Sequence, residues 1–301
     1  MKAMIGKTSP MTGKKYSTRM VLLVGEVPSS VWYADRLKKG KKRKPGPNPT
    51  VNDVELLKEI KDEIKNSKFH SEGYKKIHKR LNRRGVYCGA NRVYKMLVIN
   101  NLLAPQRPKH NGSSRVHDGK IITQNLNKMW GTDGKYFYTE DDGQCWLFSV
   151  IDHCSLEILG WHVVKIGNRF AALEPVKQAV KKEYGCLDAS VCRDVGLFLR
   201  SDHGSQYDSR DFQNELKFLG LLHSPAFVRS PECNGVIERF HRTISEQVFK
   251  INDFKNLEEA QNVIKEFIGN YNNDWLVHRL NLQSPVQFRH KYEKKKLLKC
   301  A

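Results

Sequence analysis

The chain has 301 residues, 39% hydrophobic and 10% aromatic, enough for a packed core. It lacks a run of about 18 apolar residues, and MKAMIGKTSP carries no secretory leader pattern, so neither a membrane span nor export is expected. Cysteines at 88, 145, 154, 186, 192, 233 and 300 form no C-x-x-C, which excludes a Cys-rich zinc finger or a disulfide framework and points to reduced thiols in the cytoplasm. A net charge of +20 points to a polyanionic partner, nucleic acid first. Ribosomal and chromatin proteins share that charge, so it gives a partner class and no activity.

Residues 1–37 hold two short helical patterns, YSTRMVLLVG and SSVWYADRL. In 38–50, KKGKKRKPGPNPT, six of the seven residues from Lys38 to Lys44 are basic and prolines follow. This is a linker, either simply solvated or touching phosphate through Lys41, Lys42, Arg43 and Lys44. Thr50 is placed to cap a helix over VNDVELLKEIKDEIK whose face is Val54, Leu57, Ile60 or Lys61, and Ile64. SEGYKKIHKRLNRRG is a second helix ended by Gly85. After VYCGA comes a third, NRVYKMLVINNLL. Two basic helices around a glycine-containing turn read as a helix-turn-helix with Arg92 and Lys95 facing outward, or as a plain helical hairpin. That region is 51–104, and 105–125 is a second linker.

From 126 the texture becomes aromatic and β-branched. NKMWGTDGKYFYT, CWLFSVIDH and EILGWHVV predict three strands. Asn168 caps a helix closed by Gly185, VGLFLRSD is a fourth strand, SRDFQNELKFLG a helix and LLHS a fifth strand. Two more helices follow, the second starting at Asn256 with Glu259. The order β-β-β-α-β-α-β-α-α indicates an α/β domain on a mixed sheet, 126–255, with a helical extension over 256–301.

Asp133 lies in the first strand, where propensity disfavours it, and Asp202 ends the fourth. Asp152, in SVIDH, reads as structural. In SPECNGVIERFHRTISEQVF, residues Ile237, Phe240, Ile244, Val248 and Ile251 form an apolar stripe. Glu238 sits at its edge with His241, Arg242 and Ser245 on the same side. These four are either an exposed helix face or part of a site. A set of carboxylates without Cys or His ligands suits Mg²⁺ or Mn²⁺ and phosphoryl transfer.

Together these residues resemble the DDE transposases and retroviral integrases, and most closely the insertion-sequence transposases of family three in their second-reading-frame form. SDHGSQYDS resembles the second-aspartate motif and SPECNGVIERFHRTI the glutamate motif, and 35 residues separate Asp202 from Glu238. YNNDWLVHRLNLQSPVQF resembles the C-terminal signature. The resemblance implies a ribonuclease H-like mixed five-stranded sheet with flanking helices behind a small all-α helix-turn-helix region. It implies Asp133, Asp202 and Glu238 as catalytic residues holding Mg²⁺ or Mn²⁺, as two ions. It also implies cleavage and joining of double-stranded DNA at element ends and target. Other expectations are DNA contacts from His241 and Arg242, a loop hinge at Asn234 and Gly235, self-association on DNA, and action with or fused to a first-reading-frame product in the bacterial cytoplasm near the nucleoid. The alternative is an inactive DNA-binding regulator on the same fold. The sequence departs from the family at Ser245, where many relatives carry lysine.

Overall fold

The computed structural model describes residues 1, 3–37, 50–105, 123–225 and 234–300. The linker with Lys41, Lys42, Arg43 and Lys44, and most of 105–125, lie outside the described residues. The chain divides into two compact units, Met1–Thr50 and Val51–Ala301. The first holds α1 (Thr18–Val24), capped by the Ser17 side chain, and α2 (Ser29–Leu37).

The second unit begins with three helices, α3 (Asp53–Asn66), α4 (Tyr74–Arg83) and α5 (Ala90–Ile99). Asn52, not Thr50, caps α3. Its Oδ1 accepts from the Glu55 N–H at 2.8 Å, and Glu55 reaches back to the Asn52 N–H, a reciprocal box. The buried stripe is Leu56 and Ile60, which meet Ile77, Leu81, Val93 and Leu97. Val54 is 81% exposed and Ile64 is also exposed, so the face expected from the sequence is rotated toward Leu56 and keeps Ile60.

The sheet comprises β1 (Met129–Thr139), β2 (Gly143–Asp152), β3 (Ile158–Val164), β4 (Phe198–Ser201) and β5 (Leu222–Pro225), in spatial order β3-β2-β1-β4-β5. The first three strands are antiparallel and β4 and β5 join in parallel. This is the ribonuclease H-like mixed sheet. Alternation along each strand feeds two cores. On one face Trp130, Phe148, Val150 and Leu199 pack with α6 (Arg169–Tyr184), α7 (Ser205–Asp208) and α8 (Arg210–Leu219). A Cβ at Gly160 would strike the Pro175 carbonyl, so glycine there lets α6 approach β3 closely.

On the other face Phe137, Cys145, Leu147 and Ile151 pack with α9 (Gly235–Ile244) and α10 (Leu257–Asp274), and α11 (Pro285–Cys300) completes the chain. Ala260, Ile264, Phe267 and Ile268 of α10 lie within this core. The α3–α5 region also packs against α10 within the unit that starts at Val51. Phe69 packs edge-on against Phe267 and Trp275, and Lys68 pairs with Asp274 at 2.8 Å.

Among the described residues, no helix is long and apolar enough to cross a membrane.

Candidate active site

Strand pairing puts the two aspartates side by side. In the parallel β1–β4 register Met129 faces Phe198, Trp130 faces Leu199 and Gly131 faces Arg200. Asp133, within β1, and Asp202, just past the end of β4, each lie two residues beyond the last pair. Asp133 Oδ1 accepts from the Gly134 N–H at 2.8 Å, and Asp202 Oδ1 from the Gly204 N–H at 3.0 Å. Partial burial raises the Asp202 carboxyl above its usual range. The Gly204 N–H opposes that rise and the negative charge of Asp133 adds to it. Tyr207, fully enclosed on α7, has its phenol pushed well above the ordinary value, first by burial and then by the charges of Asp133 and Asp202.

Helix α9 packs against β1 and β2 on the Asp133 face. Its N-cap residue Asn234 is buried and donates from Nδ2 to the Thr132 carbonyl at 3.3 Å. Two turns later His241, 5% exposed, places Nδ1 3.2 Å from Asp133 Oδ2 and Nε2 3.0 Å from Ser149 Oγ. Asp133 and Ser149 are direct cross-strand partners. Asn234, Glu238 and His241 are spaced for one helical face, so the exposed Glu238 is carried between two tethers to β1. Ile237, Phe240, Ile244 and Val248 form the buried stripe behind it.

The stripe ends earlier than its spacing predicted. The helix widens into a π turn over Ser245–Phe249, and Ile251 is left 48% exposed. Such turns concentrate at functional sites. Ser245, in the place of the family's lysine, donates its hydroxyl to the His241 carbonyl at 2.7 Å.

The structure gives surroundings to several of the expected site residues. His241, expected to contact DNA, is enclosed between Asp133 and Ser149. Asn234, expected to form a hinge with Gly235, is tied to the Thr132 carbonyl next to Asp133. Gly235 opens α9 without a positive φ. Arg92 does not face outward freely; it holds Asp53 Oδ1 at 2.6 Å and the Val51 carbonyl at 2.7 Å. Lys95 and Arg242 are exposed. The aspartate pair and Glu238 do not converge as a finished cage: among the described residues no three His, Cys, Asp or Glu side chains come close enough to hold a metal ion. The sequence reading passed over Ser149 and Tyr207. A serine inside the apolar strand CWLFSVID is the signal that marks the first.

Asp152 is structural, as its context indicated. It is buried and accepts from the Ser155 N–H at 2.7 Å, the Ser155 hydroxyl at 2.8 Å and the Asn127 N–H at 3.2 Å.

Comparison with known proteins gives consistent matches. An integrase core domain family model matches residues 219–279, and an HTH-like domain model matches 52–110. The chain is 28% identical over 247 residues to transposase InsD of insertion element IS2D from Escherichia coli (strain K12), covering 79% of each protein, and equally to transposase InsD of IS2A/D/F/H/I/K from Escherichia coli. Among solved structures it is similar to a simian T-cell lymphotropic virus intasome complex with PP2A regulatory subunit B56 gamma at TM-score 0.44, with 18% identity over 71% of this chain and 70% of that one. It is also similar to the HTLV-2 integrase catalytic core in complex with magnesium at TM-score 0.41, with 18% identity over 54% and 95%.

Proposed function

We propose that the chain is a transposase of the DDE type, similar to those of insertion-sequence family three, and that it cuts and joins DNA strands at Asp133, Asp202 and Glu238. The observation that carries this reading is the placement of Asp133 in register beside Asp202, with the helix that bears Glu238 tied to the Asp133 strand. The donor set fits a hard divalent cation. It is all oxygen, and two neighbouring carboxylates, one of them raised by burial and by the other's charge, favour a cation between them.

Mg²⁺ or Mn²⁺, as two ions, would be held by Asp133, Asp202 and Glu238, and when bound supplies charge stabilisation at the attacking and leaving oxygens. The chain's own contribution is placement. The Gly134 and Gly204 N–H groups fix one oxygen of each aspartate, Asp133 within β1 and Asp202 just past β4. Helix α9, tied to Asp133 through His241, carries Glu238. In cleavage, water attacks the phosphodiester. In transfer, a DNA 3′-hydroxyl attacks, a new P–O bond forms as the old one breaks in line, and the protein forms no covalent bond to DNA. Holding element ends and target together calls for more than one copy of the chain on DNA.

The test is joining of pre-cleaved element ends in Mg²⁺. Asp202→Asn is expected to bind the ends and lose joining by about a thousand-fold or more. Wild-type joining by that variant contradicts the proposal.

A further inference from the structure

We propose that His241 is a positioning residue that sets the orientation of the Asp133 carboxylate and links it to the helix carrying Glu238. The inference rests on the reading of Asp133 as catalytic and deepens it. A carboxylate only accepts hydrogen bonds, so the imidazole proton facing it is on Nδ1. In the neutral ring Nε2 then accepts from the Ser149 hydroxyl. The ring thus spans a cross-strand pair, with 3.2 Å to Asp133 Oδ2 on one side and 3.0 Å to Ser149 Oγ on the other.

Three features make this a fixed brace rather than a surface contact. His241 and Ser149 are both buried. The His241 backbone carbonyl is held by Ser245 at the start of the π turn. The flanking Phe240 and Ile244 are locked in the core. With Oδ2 turned to His241 and Oδ1 to the Gly134 N–H, the rotation of the Asp133 carboxylate is determined. Each oxygen keeps a second lone pair for a cation. Glu238 lies one turn before His241 on the same helix, so a single imidazole sets the spacing between the first and third carboxylates. A carboxylate free to rotate loses pre-organisation, and rate with it.

Amide isosteres separate the two halves of the brace. The Nδ2 of asparagine sits where Nδ1 of histidine sits, and the Nε2 of glutamine reaches the Nε2 position. In the full-length chain, His241→Asn is expected to keep the Asp133 bond and restore joining of pre-cleaved element-end duplex to within about three-fold of wild type. His241→Gln, reaching Ser149 instead, is expected to lose roughly 30-fold, the scale of one charge-assisted hydrogen bond, and to need more Mg²⁺ for half-maximal joining. End binding and melting temperature are expected to match between the two. Equal joining by both variants overturns the proposal, because a purely structural bridge does not distinguish the two ends of the ring. Asp133→Asn runs beside them: if it joins normally the catalytic reading has failed, whereas an inactive Asp133→Asn with a fully active His241→Gln rejects the brace alone. If His241→Gln does not fold, His241→Ala decides. A several-fold rise in its Mg²⁺ requirement over that of His241→Asn supports the brace, and no difference between the two overturns it.

Discussion

The side chain of Asn272 satisfies both backbone groups of Ile158: Oδ1 accepts the N–H at 2.9 Å and Nδ2 donates to the carbonyl at 2.9 Å. Ile158 opens β3, the edge strand of the sheet, and Asn272 lies on α10. The helix therefore supplies a side-chain substitute for a sixth strand at that point and closes the edge. Asn272→Ala leaves two buried backbone groups without partners and is expected to cost about 2–4 kcal/mol in urea unfolding. A cost under about 0.5 kcal/mol would reject the capping role.

Phe69 is the buried aromatic contact between the α3–α5 region and the rest of the unit, beside the Lys68–Asp274 pair. Phe69 is buried against Phe267 and Trp275, and Lys76 stands over the Trp275 ring. Phe69→Ala is expected to cost about 3–5 kcal/mol. It should also split thermal unfolding into two transitions, since α3–α5 keep their own small core of Leu56, Ile60, Leu81 and Leu97. A single undisplaced transition would contradict the coupling.

His153 predicts an acid-sensitive fold. It is buried, neither ring nitrogen has a partner among the described residues, and burial, then the nearby Arg200 and Arg279 charges, lower its pKa to about 3. The folded state thus resists a proton that the unfolded chain takes near pH 6.5. Stability from the neutral ring is full above about pH 6.5 and falls as the pH drops toward 3, by up to about 1.4 kcal/mol per unit. His153→Gln is expected to flatten denaturant midpoints between pH 6 and pH 4. An unchanged slope in that variant would show that other groups carry the acid sensitivity.

DNA binding by a chain of net charge +20 should be salt-sensitive. For about eight phosphate contacts, log K falls against log salt with a slope near −7. Lys95→Ala and Arg242→Ala are each expected to reduce that slope by about one. Arg92→Ala should leave it unchanged and lower stability instead, because Arg92 is bound to Asp53 and Val51. Fluorescence anisotropy across a salt series reads all three.

Strand order and helix order were legible in the sequence because alternation, apolar stripes and caps such as Asn168 and Gly185 are local signals. The proposed aspartates and Glu238 stand out through their motifs. Contacts between distant residues were not legible. His241 looks like a surface residue in one dimension, because its partner Ser149 is 92 residues away and meets it only through sheet register. Phe69 likewise finds its aromatic partners Phe267 and Trp275 about two hundred residues later. The stripe of α3 was misphased, since Leu56 rather than Val54 meets α4 and α5. Asn52 with Glu55 was a visible capping box, passed over in favour of Thr50.

The central claim is that Glu238, carried by α9, works with Asp133 and Asp202 in one cation-dependent centre. The most direct measurement is Mg²⁺-dependent joining of pre-cleaved element ends by wild type and Glu238→Gln, with end binding followed in parallel. The account predicts joined product from the wild type and, from Glu238→Gln, undiminished binding with joining reduced by about a thousand-fold. Wild-type levels of joined product from Glu238→Gln, or metal-independent joining by the wild type, would contradict it.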